Sequence, residues 1–406
     1  MDNAFSMISR LRPHFHIVIL CICWYIISSL ASQVTKRILT LCPLPLFLGE
    51  FQFIYTAFLA AIACQIAYIY PKFRHIFPQG TFPDYDNMSK YNKFNKSEYL
   101  PAITKPSKHI IETVLPLGLF QFVGKYFGHT ATSLVPVSTV ASIKTLSPLF
   151  ILMFQKLLRI KTLAIDKSLA FSLTSLVLGV WIIVNEDGKN HKKRTASNAG
   201  FSTYGIICAI ISMFIFVGQN IYGKSVFTFK STPVTEFQEK NHLHREESPL
   251  PMYEKPREMT PNNFHSVKPK KYDKLTLMIY ISSVGFMLSF GWFITLELPI
   301  IWKYISYGEG SEFIQTIPWR LFFLNGTFHF IQAMITFHLL GEVSTLTYSI
   351  ANLMKRIAII SVSWLFIGGP ITFLQIFGLL INTIGLFLYE KCSNGKKQQQ
   401  RKLRPE

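Results

Sequence analysis

Carboxylates are scarce in this chain: 22 Asp and Glu stand against 41 Lys and Arg in 406 residues. Charged residues make up 16% of it, below the roughly one quarter of an ordinary soluble domain. No HExxH, phosphate-loop lysine motif, GxSxG or paired-carboxylate arrangement occurs, and nothing points to an enzyme. The six cysteines (21, 23, 42, 64, 208 and 392) form no CxxC pair. Five lie in or beside apolar stretches, where Cys behaves as a small hydrophobe, so no disulfide framework, metal site or cofactor is expected. The formal net charge of +19 is not accompanied by the basic and aromatic pattern of a nucleic-acid surface. Its cations lie mostly in loops and the tail, where they set topology and meet anionic lipid.

What the chain has in quantity is apolar surface. Half of its residues are hydrophobic. Ten apolar windows recur, at 15–35, 45–70, 109–130, 133–157, 166–185, 201–226, 275–298, 316–340, 345–367 and 371–390. Each is long enough to cross a hydrocarbon core about 30 Å thick. None alternates with the period of two that a membrane β-barrel requires. The expectation is a polytopic, all-α membrane protein. The first window has no clear small-x-small cleavage site and reads as a retained signal anchor.

Two polar insertions, 71–108 and 228–274, read as flexible loops. Residues 1–227 then hold one five-helix unit plus span six, 228–274 a cytosolic linker, 275–390 four more helices, and 391–406 a basic tail. The tail carries six Lys or Arg and places both termini in the cytosol, with 189–194 (KNHKKR) a local exception to the positive-inside rule. Ten spans suggest two five-helix units, inverted because five is odd, with a substrate site near midplane. Span four carries TVASIK (139–144) and span nine SIANLMK (349–355), a faint trace of such a repeat.

Lys144, Lys355 and Arg356 fall deep inside spans four and nine. A cation at the centre of a membrane helix costs about 2.5–3.5 kcal/mol on insertion scales. These three are too far from the helix ends to snorkel, although Glu50 and Glu342 are available to pair with them. The functional alternative is a water-filled cavity in which a planar guanidinium fork and movable ammonium groups hold a phosphate. Ser138, Thr139 and Ser142, Tyr348 and Asn352, Lys125 and Gly128 in VGKYFGHT, and Gln332 are the polar or small neighbours that would line it. His129 and His338 are read as structural. Proton coupling is the less favoured mode, because no carboxylate is foreseen beside the clamp; Glu50 keeps it open.

These residues resemble a known family. LTYSIANLMKRIAIISVSWLF (346–366) is similar to the triose-phosphate translocator signature, ASIKTLSPLF (141–150) to its Lys-Ala-Leu-x-Pro segment, and WYIISSLASQVTKRILTLCPLPLF (24–47) to its opening. The resemblance implies the drug/metabolite transporter fold, ten transmembrane helices in two inverted five-helix repeats. It assigns the phosphate clamp to Lys144, Lys355 and Arg356. The organic part of the substrate would meet Lys125, Gly128, Gln332, Tyr348 and Asn352. Lys125, Gln332, Tyr348 and Gln52 depart from the plastid pattern, where His, Tyr, His and His stand. Residues 120–148 look most like the fungal endoplasmic-reticulum and Golgi branch, the SLY-type members. The implied activity is exchange of a small phosphorylated metabolite, such as a sugar phosphate, triose phosphate or phosphoenolpyruvate, for inorganic phosphate by alternating access. A nucleotide-sugar carrier and a non-transporting protein supporting vesicle traffic are the alternatives.

Overall fold

The computed structural model describes residues 15–77, 80–83, 85, 103, 106, 108–157, 167–194, 202–227, 273–306, 317–343, 345–367 and 371–402. Among these, the regular structure is helical. Helix α1 runs Phe15–Leu41, α2 Pro45–Ile69, α3 Lys108–Leu134, α4 Val137–Thr145, α5 Ser147–Leu157, α6 Lys167–Arg194 and α7 Thr203–Phe227. Then come α8 Lys274–Leu296, α9 Leu298–Ser306, α10 Trp319–Glu342, α11 Thr345–Ile367 and α12 Phe373–Lys402.

Seven stretches among the described residues are long and apolar enough to cross a bilayer: His16–Leu41, Pro45–Ile69, Ile110–Leu134, Val137–Phe154, Lys167–Asn190, Lys274–Leu296 and Phe373–Cys392. The chain is an integral membrane protein. The expected windows at 201–226, 316–340 and 345–367 also lie on helices, α7, α10 and α11. Asn325, His329 and Gln332 on α10 and Asn352, Lys355 and Arg356 on α11 lower the apolar content of those two. Lipid is the solvent for the outer faces, so Phe171, Trp181, Met287 and Phe373 stand exposed while Gln52, Ser142, Asn325 and Asn382 are buried.

Charged side chains finish several helix ends, where backbone groups lack partners. The first N–H groups of α2 after Pro45 are those of Leu46 and Phe47. They donate to the Glu297 carboxylate at 2.8 and 2.6 Å. At the other polarity, Lys36 Nζ donates to the carbonyls of Thr132, Ser133 and Val135 at 2.8, 3.0 and 3.2 Å, closing the end of α3. The Asp273 side chain caps α8 by accepting from Thr276 N.

Most of both polar insertions lies outside the described residues, but the beginning of the first is not a free loop. The N–H groups of Lys274 and Leu275 donate to the carbonyls of Gly80 and Thr81. Gly80 has φ of 80°, a conformation that costs a glycine nothing. Tyr85 is buried against Ala60, Ala63, Cys64 and Leu275, and its hydroxyl donates to the Cys64 carbonyl at 3.0 Å. Three aromatic residues, Phe73, Phe77 and Phe82, pack on the same cluster and hold the segment down.

Helix α6 lies along α12, α3 along α7, α2 along α8, α10 along α1, and α11 against both α1 and α4. Close approach of α6 and α12 rests on small residues, as membrane helix packing does in general. A Cβ on Gly179 would fall 2.6 Å from the Asn382 backbone nitrogen. Overpacking typically costs about 1–3 kcal/mol, and here the obstacle is backbone, which cannot turn away. Gly179→Leu is therefore expected to lower the thermal unfolding temperature in detergent well below that of Val177→Leu, a change at an exposed position on the same helix. Equal unfolding temperatures would show that the two helices separate easily.

Candidate functional site

The centre of the molecule is organised by a break in a helix. Pro148 has no N–H, so the carbonyl four residues before it, that of Lys144, loses its helical partner. The helix stops at Thr145, turns at Leu146, and resumes as α5 at Ser147. Arg356 of α11 fills the vacancy. Its Nη1 donates to the Lys144 carbonyl and, at 2.9 Å, to Ser147 Oγ. A cation at a helix C-terminus is also favoured by the helix dipole. The sequence KTLSP thus leaves a carbonyl without its helical partner four residues on, and the neighbouring span supplies a guanidinium for it.

Lys144, Lys355 and Arg356 are half-buried and lie within electrostatic reach of one another. Lys355 Nζ sits 4.3 Å from the centre of the Trp24 ring, which stacks on Tyr348 at 5.8 Å. Lys144 Nζ faces Phe216 of α7 at 5.9 Å, and Lys125 Nζ lies 4.1 Å from the Phe53 ring centre. Aromatic faces stabilise these ammonium groups modestly, by about 0.5–2 kcal/mol each. One carboxylate does stand nearby, contrary to the expectation of none: Glu390 on α12 is within electrostatic reach of Arg356. Glu50 reaches Lys125 rather than the clamp, and the Glu342 side chain lies outside the described residues.

A second layer of polar groups lies beneath the cations. His129 belongs to this layer. Its Nε2 meets the side-chain Oε1 of Gln52 at 3.2 Å; Gln52 Nε2 donates to Asn325 Oδ1 at 2.7 Å, and Asn325 Nδ2 donates to Thr35 Oγ1 at 2.8 Å. This buried chain ties α1, α2, α3 and α10 together. His129 and His329 lie in the field of both Lys125 and Lys144. His329 was not singled out from the sequence. Its signal was available: it precedes Gln332 by three residues and so shares a helical face with it.

The other expected residues are placed as follows. Gln332, Asn352 and Tyr348 are half-buried on α10 and α11. Gly128 faces α7, where a Cβ would come within 2.9 Å of Ser212 Oγ, so it permits close helix packing. Ser138 and Thr139 both donate to one oxygen of Asp187 on α6, Thr139 at 2.9 Å. The other oxygen accepts from Trp364 Nε1 at 3.1 Å and Gln375 Nε2 at 2.8 Å. Asp187, a residue without any sequence motif, is therefore a buried hub joining α4, α6, α11 and α12.

The Triose-phosphate Transporter family model matches residues 15–244 and 259–390. The chain is 63% identical to the uncharacterized transporter YJL193W of Saccharomyces cerevisiae over 98% of both chains. It is 32% identical to the uncharacterized transporter SLY41 of the same yeast, over 94% of this chain and 81% of that one. It is also similar to the chloroplastic xylulose 5-phosphate/phosphate translocator of Arabidopsis thaliana. That likeness is 26% identity over 73% of this chain and 58% of the translocator.

Proposed function

The chain belongs to the Triose-phosphate Transporter family, and we propose that it exchanges small phosphorylated metabolites for inorganic phosphate across an internal membrane. The observation that carries this reading is the meeting of Lys144, Lys355 and Arg356. Arg356 uses Nη1 to hold the broken helix, leaving Nε and Nη2 as a second edge for phosphate oxygens. The two ammonium groups supply movable charge beside it. A dianion bound there offsets cations that would otherwise oppose closure of a dry site, which favours exchange over one-way flow. Translocators named for phosphate exchange among the relatives support the same chemistry.

Ten spans in two inverted repeats complete the proposal. Counting α4 with α5 as span four, the pairings of span three with span six and of span eight with span one are equivalent under a shift of five. The same holds for span four with six and nine with one, and for three with seven and eight with two. Spans two with seven, four with nine and five with ten map onto themselves. That pattern is what a pseudo-two-fold axis in the membrane plane would produce. Lys125, Gln332, Tyr348 and Asn352 would face the organic part of the substrate, and Gly128 would admit the backbone approach that shapes that wall.

Purified protein in liposomes loaded with inorganic phosphate is expected to take up labelled triose phosphate, phosphoenolpyruvate or pentose phosphate, and to fall to background when internal phosphate is omitted. Uptake of nucleotide sugars alone would overturn the assignment. An endoplasmic-reticulum or Golgi location with both termini cytosolic predicts that Asn87 and Asn95, which match the glycosylation acceptor pattern, carry no glycan. A mass shift removed by endoglycosidase and by Asn87→Gln or Asn95→Gln would reverse the orientation.

A further inference from the structure

Glu50 is a buried acid, among the described residues, whose chemistry the phosphate clamp leaves unused. It is 5% exposed, on α2, one turn before Phe53. Neither of its carboxyl oxygens has a hydrogen-bond partner among the described residues. An ionised carboxylate left so would cost several kcal/mol, and a proton on it removes most of that cost. The Ser289 hydroxyl of α8 lies within range of it. That hydroxyl has a single proton, which it gives to the Gly285 carbonyl at 2.8 Å and, more weakly, to that of Phe286 at 3.3 Å. Ser289 Oγ is therefore left as an acceptor, and a bond between the two requires Glu50 to be the donor.

The charges around Glu50 can be named element by element. From α3 comes Lys125, with its ammonium on the Phe53 ring; His129, one turn further, is engaged by Gln52. Beyond the end of α8 comes Glu297, occupied with the N–H groups of Leu46 and Phe47. On α10 the titratable groups are Arg320, exposed at its start, His329, which lies toward Lys125 and Lys144, and His338 and Glu342 in its last two turns. Lys125 is thus the cation that Glu50 and an anion in the cavity would share.

We infer that Glu50 is a proton-binding site coupled to transport. When a phosphate-bearing anion approaches Lys125, Glu50 takes one proton from the aqueous side then open. When the anion leaves, Glu50 returns that proton to the side then open and pairs with Lys125. One proton enters with each entering anion and one leaves with each counter-anion, so a complete exchange cycle carries no net proton. The inference rests on the phosphate-exchange reading and adds a proton requirement to each crossing, so that the pH on the loading side sets the rate.

The test uses the full chain in liposomes with inorganic phosphate as the probe. Wild type and Glu50→Gln are compared for labelled phosphate exchange at equal pH on both sides and under an imposed pH gradient, acid outside. Glu50→Gln keeps the shape of a protonated carboxyl. It is expected to retain exchange at equal pH within about twofold (~0.4 kcal/mol), and to lose the stimulation that wild type shows under the gradient. Phosphate ionisation is the same for both proteins, so the difference belongs to Glu50. In parallel, infrared difference spectra between acid and alkaline buffer are expected to contain a protonated-carboxyl band that Glu50→Gln lacks. Identical gradient responses in the two proteins, or no Glu50-dependent band, overturn the inference. If wild type exchanges no phosphate, the exchange reading fails and with it the coupling; the infrared band then reports only whether Glu50 binds a proton.

Discussion

Arg356→Ala should abolish phosphate-driven exchange and at the same time lower thermal stability, because the guanidinium does two things at once. It donates to the Lys144 carbonyl that Pro148 leaves without its helical partner, and it presents its other edge to the substrate. Losing one partner of a buried charge interaction costs about 3–5 kcal/mol, a hundredfold or more in binding at ~1.4 kcal/mol per decade. Arg356→Lys keeps the charge but not the fork. One ammonium cannot span the carbonyl, Ser147 and a phosphate, so exchange should drop strongly while the protein still folds. Lys144→Ala separates the two roles. It removes the ammonium but leaves the backbone carbonyl that Arg356 holds, so exchange should be lost with the unfolding temperature near that of wild type. Lys355→Arg should retain part of the exchange, its charge still facing the Trp24 ring. Substitutions at Lys125 or Gln332 should change which phosphorylated compound is preferred. If Lys144→Ala, Lys355→Ala and Arg356→Ala proteins fold normally and exchange phosphate at near wild-type rates, the clamp is wrong.

Much of this was legible in the chain. The apolar windows fell on helices, the fourth of them broken at Leu146, because in a membrane each segment must satisfy its own backbone, which makes length and composition sufficient to find it. Lys144, Lys355 and Arg356 stood out because a cation in such a segment is costly without a reason. Other features were invisible for equally physical reasons. Asp187 and Glu390 sit at the edges of the apolar windows 166–185 and 371–390, where a carboxylate in sequence looks solvated; only the packing of α4, α11 and α12 around Asp187 shows that it is buried. The anchoring of residues 80–85 depends on backbone bonds to the start of α8, nearly two hundred positions away, and no local pattern encodes that. The Lys36 contact with the end of α3 is of the same kind: the family-like Lys36-Arg37 pair could be read, but the carbonyls it closes could not.

The Asp187 hub should divide two nearly isosteric substitutions. Its four donors are of two kinds. Ser138 and Thr139 are hydroxyls, which can turn and accept; Trp364 Nε1 and the Gln375 amide N–H groups can only donate. In Asp187→Asn the side-chain oxygen can stay toward Trp364 and Gln375 while its NH2 faces the two hydroxyls, which then accept. Every bond has a substitute, and the loss is confined to charge assistance. In Asp187→Ala the indole and amide donors are buried with nothing to receive them, at about 1–3 kcal/mol each. Alanine should therefore give protein that unfolds at much lower temperature or fails to accumulate in the membrane, and asparagine protein that survives purification with a modest drop. Because the hub joins the half-helix bearing Lys144 to α6, α11 and α12, the asparagine protein should also exchange phosphate at an altered rate with its clamp residues intact. Equal unfolding temperatures for the two variants would mean that the donors around Asp187 find other partners and that the hub does not hold these helices together.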